Sequence, residues 1–270
     1  MAASEDLVSG LTKIQQTFQF FPNPLVTDYP AIVKDSNDLT LFDLDRDQFM
    51  FSGSLPSACK ELYDNIKGLK LENTKDPLVK LSDAISYSIK TPGMTLYNKL
   101  KEKKENFGYL RVTLGPDKRT APGIPYVLEI WPSGNGSPIH NHGGACAIIK
   151  VLYGRITCNV YNKITEPPEN ESELIPLIKF DLKEDQITWI DPNWYQTHRL
   201  HNNTDEFCAT IQCYRYDYSD TAHKPYFDFI SVEEEKVKKK CFKSIHPQSD
   251  FTFLNFRSIV LKEYTQYLER

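Results

Sequence analysis

The chain has 270 residues and a formal net charge of −4 at neutral pH, so it is long enough to bury a sizeable core without disulfide or metal staples. Hydrophobic residues make up 40% and charged residues 25% of the sequence, which excludes wholesale disorder, collagen and coiled coil. The slightly acidic balance gives no electrostatic footprint for nucleic acid or for an anionic membrane surface. No apolar run approaches the roughly 18 residues that a membrane-spanning helix needs.

The N-terminal stretch, MAASEDLVSG, has neither the basic region nor the long apolar run of a secretory signal. The cysteines are scattered without CxxC spacing, at Cys59, Cys146, Cys158, Cys208, Cys213 and Cys241. This pattern favours reduced thiols in a cytoplasmic protein. We also expect the protein to be a monomer.

Hydrophobic residues in the first hundred positions recur at steps of three and four, which is the period of one helix face. Pro22 and Pro24 end the first of these patterns, because proline cannot continue a helix. We expect an N-terminal helical region, residues 1–107, that packs on the remainder of the chain. Its predicted helices cover residues 7–21, 56–66, 77–88 and 94–107.

The hydrophobic pattern of the sequence changes near residue 108. Short apolar or alternating segments begin there, separated by Gly, Pro, Asn and Asp. Many short strands at this spacing are typical of an antiparallel sandwich or barrel. The predicted region runs over residues 108–218. Its candidate strands are residues 109–114, 126–131, 145–153, 156–161, 175–181, 186–190 and 206–216.

Residues 219–270 are expected to belong to the same domain as the barrel. Residues 226–232 and 237–245 alternate around an acidic turn, which favours a hairpin. A helix over residues 233–240 is the competing interpretation, because Glu and Lys stand four apart there. A short C-terminal helix is indicated by hydrophobic residues at every fourth position, Phe256, Val260, Tyr264 and Leu268.

The most informative segment is GNGSPIHNHGGACAIIKVLYG, residues 134–154. His140 and His142 are two apart, so an extended backbone would point both imidazoles to one side. Two such histidines can chelate a divalent metal, and imidazole suits zinc, iron, copper or nickel. The pair alone is weak evidence. A third candidate ligand is His198 in WYQTHRLHNN, with His201 as the alternative in that stretch.

The spacing of glycines and histidines in residues 134–154 resembles the first cupin motif, and His198 followed by Asn202 resembles the second. The resemblance implies a mostly β fold, a cupin-type antiparallel β-barrel (double-stranded β-helix) whose inward histidines hold one metal. The first cupin motif normally supplies a glutamate where this chain has Cys146 and Ala147. Three neutral imidazoles would leave the full +2 charge on the metal, which favours an anionic soft ligand such as a thiolate.

The missing carboxylate is also a feature of the cysteine dioxygenases, and residues 108–218 resemble that family in further motifs. FGYLRVTLG places Tyr109 and Arg111 ahead of the histidine pair, and ATIQCYRY contains Tyr214. The resemblance implies a mononuclear Fe(II) cofactor and a substrate carboxylate held by Arg111, with Tyr109 nearby. It also implies that Tyr214 hydrogen-bonds the substrate or the oxygen chemistry. The implied iron ligands are His140, His142 and His198.

Two departures from that family stand out. The family has serine, histidine and tyrosine on alternate residues of one strand, where this chain has Thr210, Gln212 and Tyr214. Gln212 can orient a phenol by hydrogen bonding but cannot carry a proton at neutral pH. Mammalian members also link a cysteine to the tyrosine, and the matching position here is Ala147. Because Cys146 lies one residue earlier, its side chain should face the other way, and we expect no thioether.

These residues lead to the expectation of an Fe(II)-dependent thiol dioxygenase that oxidises L-cysteine with O2 to cysteine sulfinate. Another small carboxylated thiol, such as 3-mercaptopropionate, is an alternative substrate. Cysteamine has no carboxylate for Arg111 to bind. A metal-binding cupin without catalytic activity is the alternative from another class. The expected partners are the small thiol and O2, without nucleic acid or membrane.

Overall fold

The structure is a computed structural model that describes residues 32–33, 57–72, 79–103, 107–114, 126–161, 174–190, 196–215, 226–233, 236–243 and 249–270. Its helices are α1 Ser57–Ile66, α2 Leu81–Lys90, α3 Thr95–Lys101 and α4 Phe253–Leu268. Its first strands are β1 Ile32–Val33, β2 Leu110–Leu114, β3 Tyr126–Trp131, β4 Cys146–Tyr153, β5 Arg155–Tyr161 and β6 Ile178–Lys183. The later strands are β7 Ile187–Ile190, β8 Thr197–His201, β9 Cys208–Arg215, β10 Tyr226–Glu233, β11 Lys236–Lys243 and β12 Phe251–Thr252.

The described helices lie where periodicity predicts them, with shifted ends. The helix expected over residues 77–88 begins only at Leu81, because the Glu72 carboxylate accepts the N–H groups of Leu81 and Ser82 at 2.8 and 3.0 Å and caps the helix there. The helix expected over residues 94–107 ends at Lys101. The predicted helix over residues 7–21 lies outside the described residues.

The strands form two main antiparallel sheets. The larger sheet has the order β1-β7-β4-β9-β3-β2-β12, and its one parallel pair in the described residues is β12 with β2. The smaller sheet has the order β6-β5-β8. Successive strands pass between the sheets, since β4 lies in the larger, β5 and β6 in the smaller, β7 in the larger, β8 in the smaller and β9 in the larger.

The turns between sheets have backbone conformations that few residues adopt. Gly154, between β4 and β5, has φ 75°, and a Cβ there would lie 2.7 Å from the Phe207 carbonyl oxygen. Only glycine meets both conditions. Asp185, between β6 and β7, has φ 67°. A chain that winds alternately through two facing sheets in this way is a double-stranded β-helix, so the predicted cupin-type barrel is confirmed.

The central strands of the larger sheet are covered on both faces. Every residue of β9 is buried, because one face lines the barrel interior and the other lies under helix α1. That helix buries Leu62, Tyr63 and Ile66 against the sheet. Double coverage explains why β4 reads CAIIKVLY, a nearly continuous apolar run instead of an alternating one.

Helices α2, α3 and α4 form a second layer beside β2. Ile85, Leu96 and Phe256 are fully buried there. The Glu263 carboxylate of α4 accepts the hydroxyls of Ser88 and Thr95 at 2.6 Å each, which ties the three helices together. The predicted C-terminal helix is thereby confirmed. The helices that the structure describes include none with both the length and the hydrophobicity that a membrane-spanning segment requires.

Strands β10 and β11 pair in antiparallel register from Tyr226 with Lys243 to Glu233 with Lys236. The hairpin interpretation is therefore confirmed, and the competing helix over residues 233–240 is wrong. The Ile230 N–H donates to the Ile139 carbonyl at 2.7 Å, and Phe229 forms a bridge with His140. These pairings place the hairpin at the rim of the barrel, beside the histidine pair.

Candidate metal centre

Backbone pairing brings the histidine-containing loop onto strand β8. His140 and His198 exchange both backbone hydrogen bonds, at 3.0 and 2.9 Å, and Gly136 forms a second bridge with His201. A Cβ on Gly136 would lie 2.5 Å from the Leu200 carbonyl oxygen. The loop can approach β8 this closely because that position is glycine.

This pairing gathers His140, His142 and His198, which we call the histidine cluster. One ring nitrogen from each lies within 4.8 Å of the others. The Nε2 atoms of His142 and His198 are 2.9 Å apart, and the three ring centroids are each 4.9 Å from one another. The three histidines that the motifs single out therefore converge in the structure.

The protonation state of the histidine cluster suits metal binding. Burial lowers the pKa of His140 to about 4 and lowers the pKa values of His142 and His198 well below their ordinary value, so all three rings are neutral at pH 7. The ring Nδ1 of His140 lies 2.9 Å from the Pro138 carbonyl oxygen. Because that oxygen can only accept, the proton sits on Nδ1 and leaves the Nε2 lone pair for a metal.

The donor set therefore fits a divalent transition metal. Three neutral imidazoles converge, and among the described residues the cluster contains no carboxylate or thiol. Imidazole binds zinc, iron, copper and nickel. Three protein ligands also leave coordination positions for a small molecule.

Of the remaining histidines, only His201 lies in the part of the chain that the structure describes, and it does not join the cluster. His201 lies three residues after His198 on β8, so its side chain projects from the opposite face of the strand. Its Asn203 neighbour hydrogen-bonds the ring. His223 and His246 lie outside the described residues.

The predicted substrate arginine lies on the larger sheet. Arg111 is 9% exposed, and its positive charge is close enough to lower the pKa values of His140 and His142. Tyr109 hydrogen-bonds the Arg111 side chain and stacks on Trp131 with ring centroids 4.3 Å apart. The Asp250 carboxylate accepts the Arg111 N–H at 2.9 Å, which fixes the backbone at this point.

Sequence reasoning missed Glu129, which lies on β3 between Arg111 on β2 and Thr210 on β9. It is 2% exposed, and its carboxylate forms a salt bridge with the Arg111 guanidinium. Burial raises the pKa of Glu129 to about 7, although the nearby Arg111 charge acts in the opposite direction. The available signal was one glutamate inside the apolar strand YVLEIW, since glutamate is almost never fully buried without a partner.

Beyond Glu129 the hydrogen bonds continue along β9. The Gln212 amide nitrogen donates to the second Glu129 oxygen, and the Tyr214 hydroxyl donates to the Gln212 amide oxygen. We call Arg111, Glu129, Gln212 and Tyr214 the polar row. The Tyr214 ring stacks on His142, with centroids 5.1 Å apart and planes at 22°. Gln212 thus orients the phenol, as its side-chain chemistry suggests.

The strand register also decides which residue faces the phenol. Ala147 on β4 pairs with Tyr214 on β9, whereas Cys146 pairs with Arg215. Side chains of adjacent residues point to opposite faces of a sheet, so Cys146 lies on the face away from Tyr214. Cys146 is a buried free thiol. This geometry gives Tyr214 no thioether partner at either position.

Only the comparison with solved structures finds proteins similar to this chain. No known family model matches the sequence, and no curated protein sequence matches it. The solved structures to which it is similar include the Cupin_2 domain of an XRE family transcriptional regulator from Enterobacter cloacae, at 15% identity and a TM-score of 0.31. That match covers 40% of this chain and 97% of the regulator domain.

Two further solved structures are similar at the same level. A Klebsiella pneumoniae protein with a double-stranded β-helix domain has 15% identity and a TM-score of 0.32, covering 48% of this chain and 92% of that one. An oxalate oxidase in complex with glycolate has 12% identity and a TM-score of 0.33, covering 43% and 53% of the two chains. At such low TM-scores, the fold assignment rests on the strand topology of this chain.

Proposed function

We propose that the protein is a mononuclear Fe(II) thiol dioxygenase that converts L-cysteine and O2 to cysteine sulfinate. One observation carries the proposal: the histidine cluster is made of three neutral imidazoles without a carboxylate, and it lies beside a buried arginine and a buried tyrosine. The proposal also draws on the resemblance of residues 108–218 to the cysteine dioxygenases.

The absence of negative charge on the three imidazoles favours a thiolate as the additional ligand of a bound metal. Neutral imidazoles leave the full +2 charge of a bound metal uncompensated, whereas a carboxylate ligand would neutralise part of it. When bound here, Fe(II) supplies open coordination positions and the redox chemistry of O2. The remaining tasks, which are to bind, orient and enclose the thiol, fall to the residues around the cluster.

Arg111 is suited to hold the substrate carboxylate. Glu129 occupies Nη1 of its guanidinium, and Tyr109 hydrogen-bonds the same side chain. The Arg111 Nε is buried and has no hydrogen-bond partner among the described residues. A buried donor without an acceptor is unfavourable by about 1–3 kcal/mol, and a carboxylate oxygen of the substrate would satisfy it. The planar guanidinium matches a carboxylate geometrically.

The reaction balances without a further reductant. Both atoms of O2 become bonded to the substrate sulfur, O2 is reduced, sulfur is oxidised to the sulfinate, and the thiol proton is released to solvent. A buried, largely apolar interior limits competing reactions with water. The rings of Trp131 and Tyr109, both almost fully buried, supply part of that enclosure.

The test is a reaction with the full-length protein loaded with Fe(II). Oxygen uptake should accompany the addition of cysteine, and mass spectrometry should find a product two oxygen atoms heavier than cysteine. The zinc-loaded protein is the matched control, because it binds the same ligands but lacks redox chemistry. Thiol binding without oxygen uptake would overturn the dioxygenase proposal and support a metal-binding cupin without catalytic activity.

A further inference from the structure

Glu129 occupies a position where a carboxylate is unfavourable for stability. It is 2% exposed on a central strand of the larger sheet. A buried ion pair is on average no more stable than a well-packed apolar pair, so stability does not explain its presence. Its hydrogen bonds lead through Gln212 to Tyr214, whose ring stacks on His142 of the histidine cluster, and this connection points to a role in the site instead.

Both oxygens of Glu129 are engaged by donors. Arg111 Nη1 donates to Oε1 and Gln212 Nε2 donates to Oε2. An ionised carboxylate can only accept hydrogen bonds. The Gln212 amide therefore has to turn its NH2 group toward Glu129, and its oxygen then faces the opposite way, toward Tyr214.

This orientation fixes the direction of the next hydrogen bond. The Gln212 oxygen can only accept, so the Tyr214 hydroxyl must donate its proton to it, as the structure shows. A phenol hydroxyl has one proton to donate, and Tyr214 donates it to Gln212. Toward the histidine cluster, on whose His142 ring it stacks, Tyr214 can then offer only lone pairs.

We propose that Glu129 sets the hydrogen-bond polarity of the polar row, so that Tyr214 presents an acceptor and the site selects thiols that carry an amine. This inference rests on the proposed function for its choice of a thiol ligand. An amine N–H is the donor that such an acceptor requires. Cysteine has that amine and 3-mercaptopropionate does not, although the two thiols are otherwise alike.

The experiment measures binding of the two thiols to the zinc-loaded, full-length protein by calorimetry without oxygen, at about pH 8. The readout is the ratio of the two dissociation constants, 3-mercaptopropionate over cysteine. In the unaltered protein cysteine should bind at least about 10-fold more tightly, since its amine can both donate to Tyr214 and bind the metal.

The variant Glu129→Gln keeps the shape of the side chain but can donate, which allows the Gln212 amide to reverse and frees the Tyr214 proton. The ratio should fall by about 5-fold. Tyr214→Phe, which removes the acceptor, should produce the same fall. Gln212→Met interrupts the row by removing the amide between Glu129 and Tyr214, and it provides a second test if Glu129→Gln folds poorly.

Thr210→Val is the matched control. Thr210 is buried on the same strand and opposite Glu129, but its hydroxyl accepts from Trp131 and takes no part in the polar row. Its ratio should stay unchanged. An unchanged ratio in Glu129→Gln and Gln212→Met, with a fall in Tyr214→Phe, would overturn the role of Glu129. No change in any variant, or no binding of either thiol, would overturn the inference as a whole.

The two proposals fail in different ways. If the iron-loaded protein consumes no oxygen but the zinc-loaded protein shows the expected ratios of dissociation constants, the dioxygenase proposal is wrong. The inference that Glu129 sets the direction of the hydrogen bonds in the polar row is then still supported. If oxygen uptake and sulfinate appear but the ratios do not respond to Glu129→Gln, the reverse holds.

Discussion

The histidine cluster and the polar row lie on opposite sheets of one barrel, and they satisfy their polar groups differently. The cluster comes from the smaller-sheet side, where backbone pairing of His140 with His198 assembles it, and its rings are neutral. The polar row comes from β2, β3 and β9, and it pairs the Arg111 guanidinium with the carboxyl of Glu129, whose pKa burial raises to about 7. The two arrangements meet where the Tyr214 ring stacks on His142.

The difference indicates what each side is built to receive. Neutral imidazole rings with accessible lone pairs can coordinate a metal cation, and this coordination would be their strongest interaction. Most polar atoms of the polar row are paired within it, and among the described residues the Arg111 Nε is left for a ligand. The polar row determines the donor-to-acceptor direction of its hydrogen bonds, because each bond along the row fixes the orientation of the next group.

The largest expected effect tests the pairing within the polar row. Arg111→Met should lower the free energy of unfolding by about 3–5 kcal/mol, because it leaves the buried Glu129 carboxylate without its partner. The double variant Arg111→Met with Glu129→Leu should recover most of that loss. Urea unfolding of the metal-free protein measures both. Equal instability in the single and double variants would contradict the internal pairing.

The next effect isolates the histidine cluster. His198→Ala should weaken zinc binding by more than about 100-fold, since even the outer partners of metal ligands contribute 10- to 100-fold. His201→Ala is the control, because that ring lies on the other face of β8 and should leave metal affinity unchanged. Competition with a chelating dye measures both affinities. A similar loss in the two variants would mean that His198 acts structurally.

A smaller effect separates carboxylate binding from metal binding. Arg111→Lys keeps a positive charge beside Glu129 but loses the planar fork, so cysteine should bind about 10- to 100-fold more weakly. Zinc content should not change. Cysteamine, which has no carboxylate, should bind the variant and the unaltered protein equally. Calorimetry on the zinc-loaded proteins gives these constants, and a parallel loss for cysteamine would remove Arg111 from carboxylate recognition.

The smallest effect concerns pH. Burial raises the pKa of Glu129 from 4.5 to about 7, against the charges of Arg111 and Lys103. The folded protein therefore holds this proton more tightly than the unfolded chain does. The resulting stability is present below about pH 4.5 and is lost as the pH rises through 7.

Relative to Glu129→Gln, the unaltered protein should thus lose about 2 kcal/mol of unfolding free energy between about pH 5 and pH 8. Urea unfolding of the two metal-free proteins at each pH gives the difference. A difference that does not vary with pH would show that the Arg111 charge balances the effect of burial on the pKa of Glu129, and one of the opposite sign would show that it outweighs burial.

The sequence allowed much of the barrel and the whole histidine cluster to be predicted. Its strands are short and bounded by turn residues, and the histidines of the cluster lie in two compact motifs with local spacing. His142 follows His140 by two residues, so a single extended segment presents both. Strand ends were less exact: β6 begins at Ile178, not at residue 175.

The polar row could be predicted only in part. Arg111 and Tyr214 were proposed through resemblance to a family, whereas Glu129 was not proposed at all. Its importance depends on the strand register that places it between Arg111 and Thr210. The spacing of residues within one segment does not predict the register between strands that are distant in sequence. The hairpin posed a similar difficulty, because Glu and Lys four apart also suit a helix, and pairing of β10 beside His140 decided the outcome.

Ala147 has a consequence for how the protein reaches its working form. A methyl group faces Tyr214 across the strands, and the neighbouring sulfur of Cys146 is turned away. The phenol consequently needs no oxidative maturation after synthesis. For the proposed dioxygenase, freshly made protein should react as fast in its first turnover as in later ones, with no lag while a covalent bond accumulates.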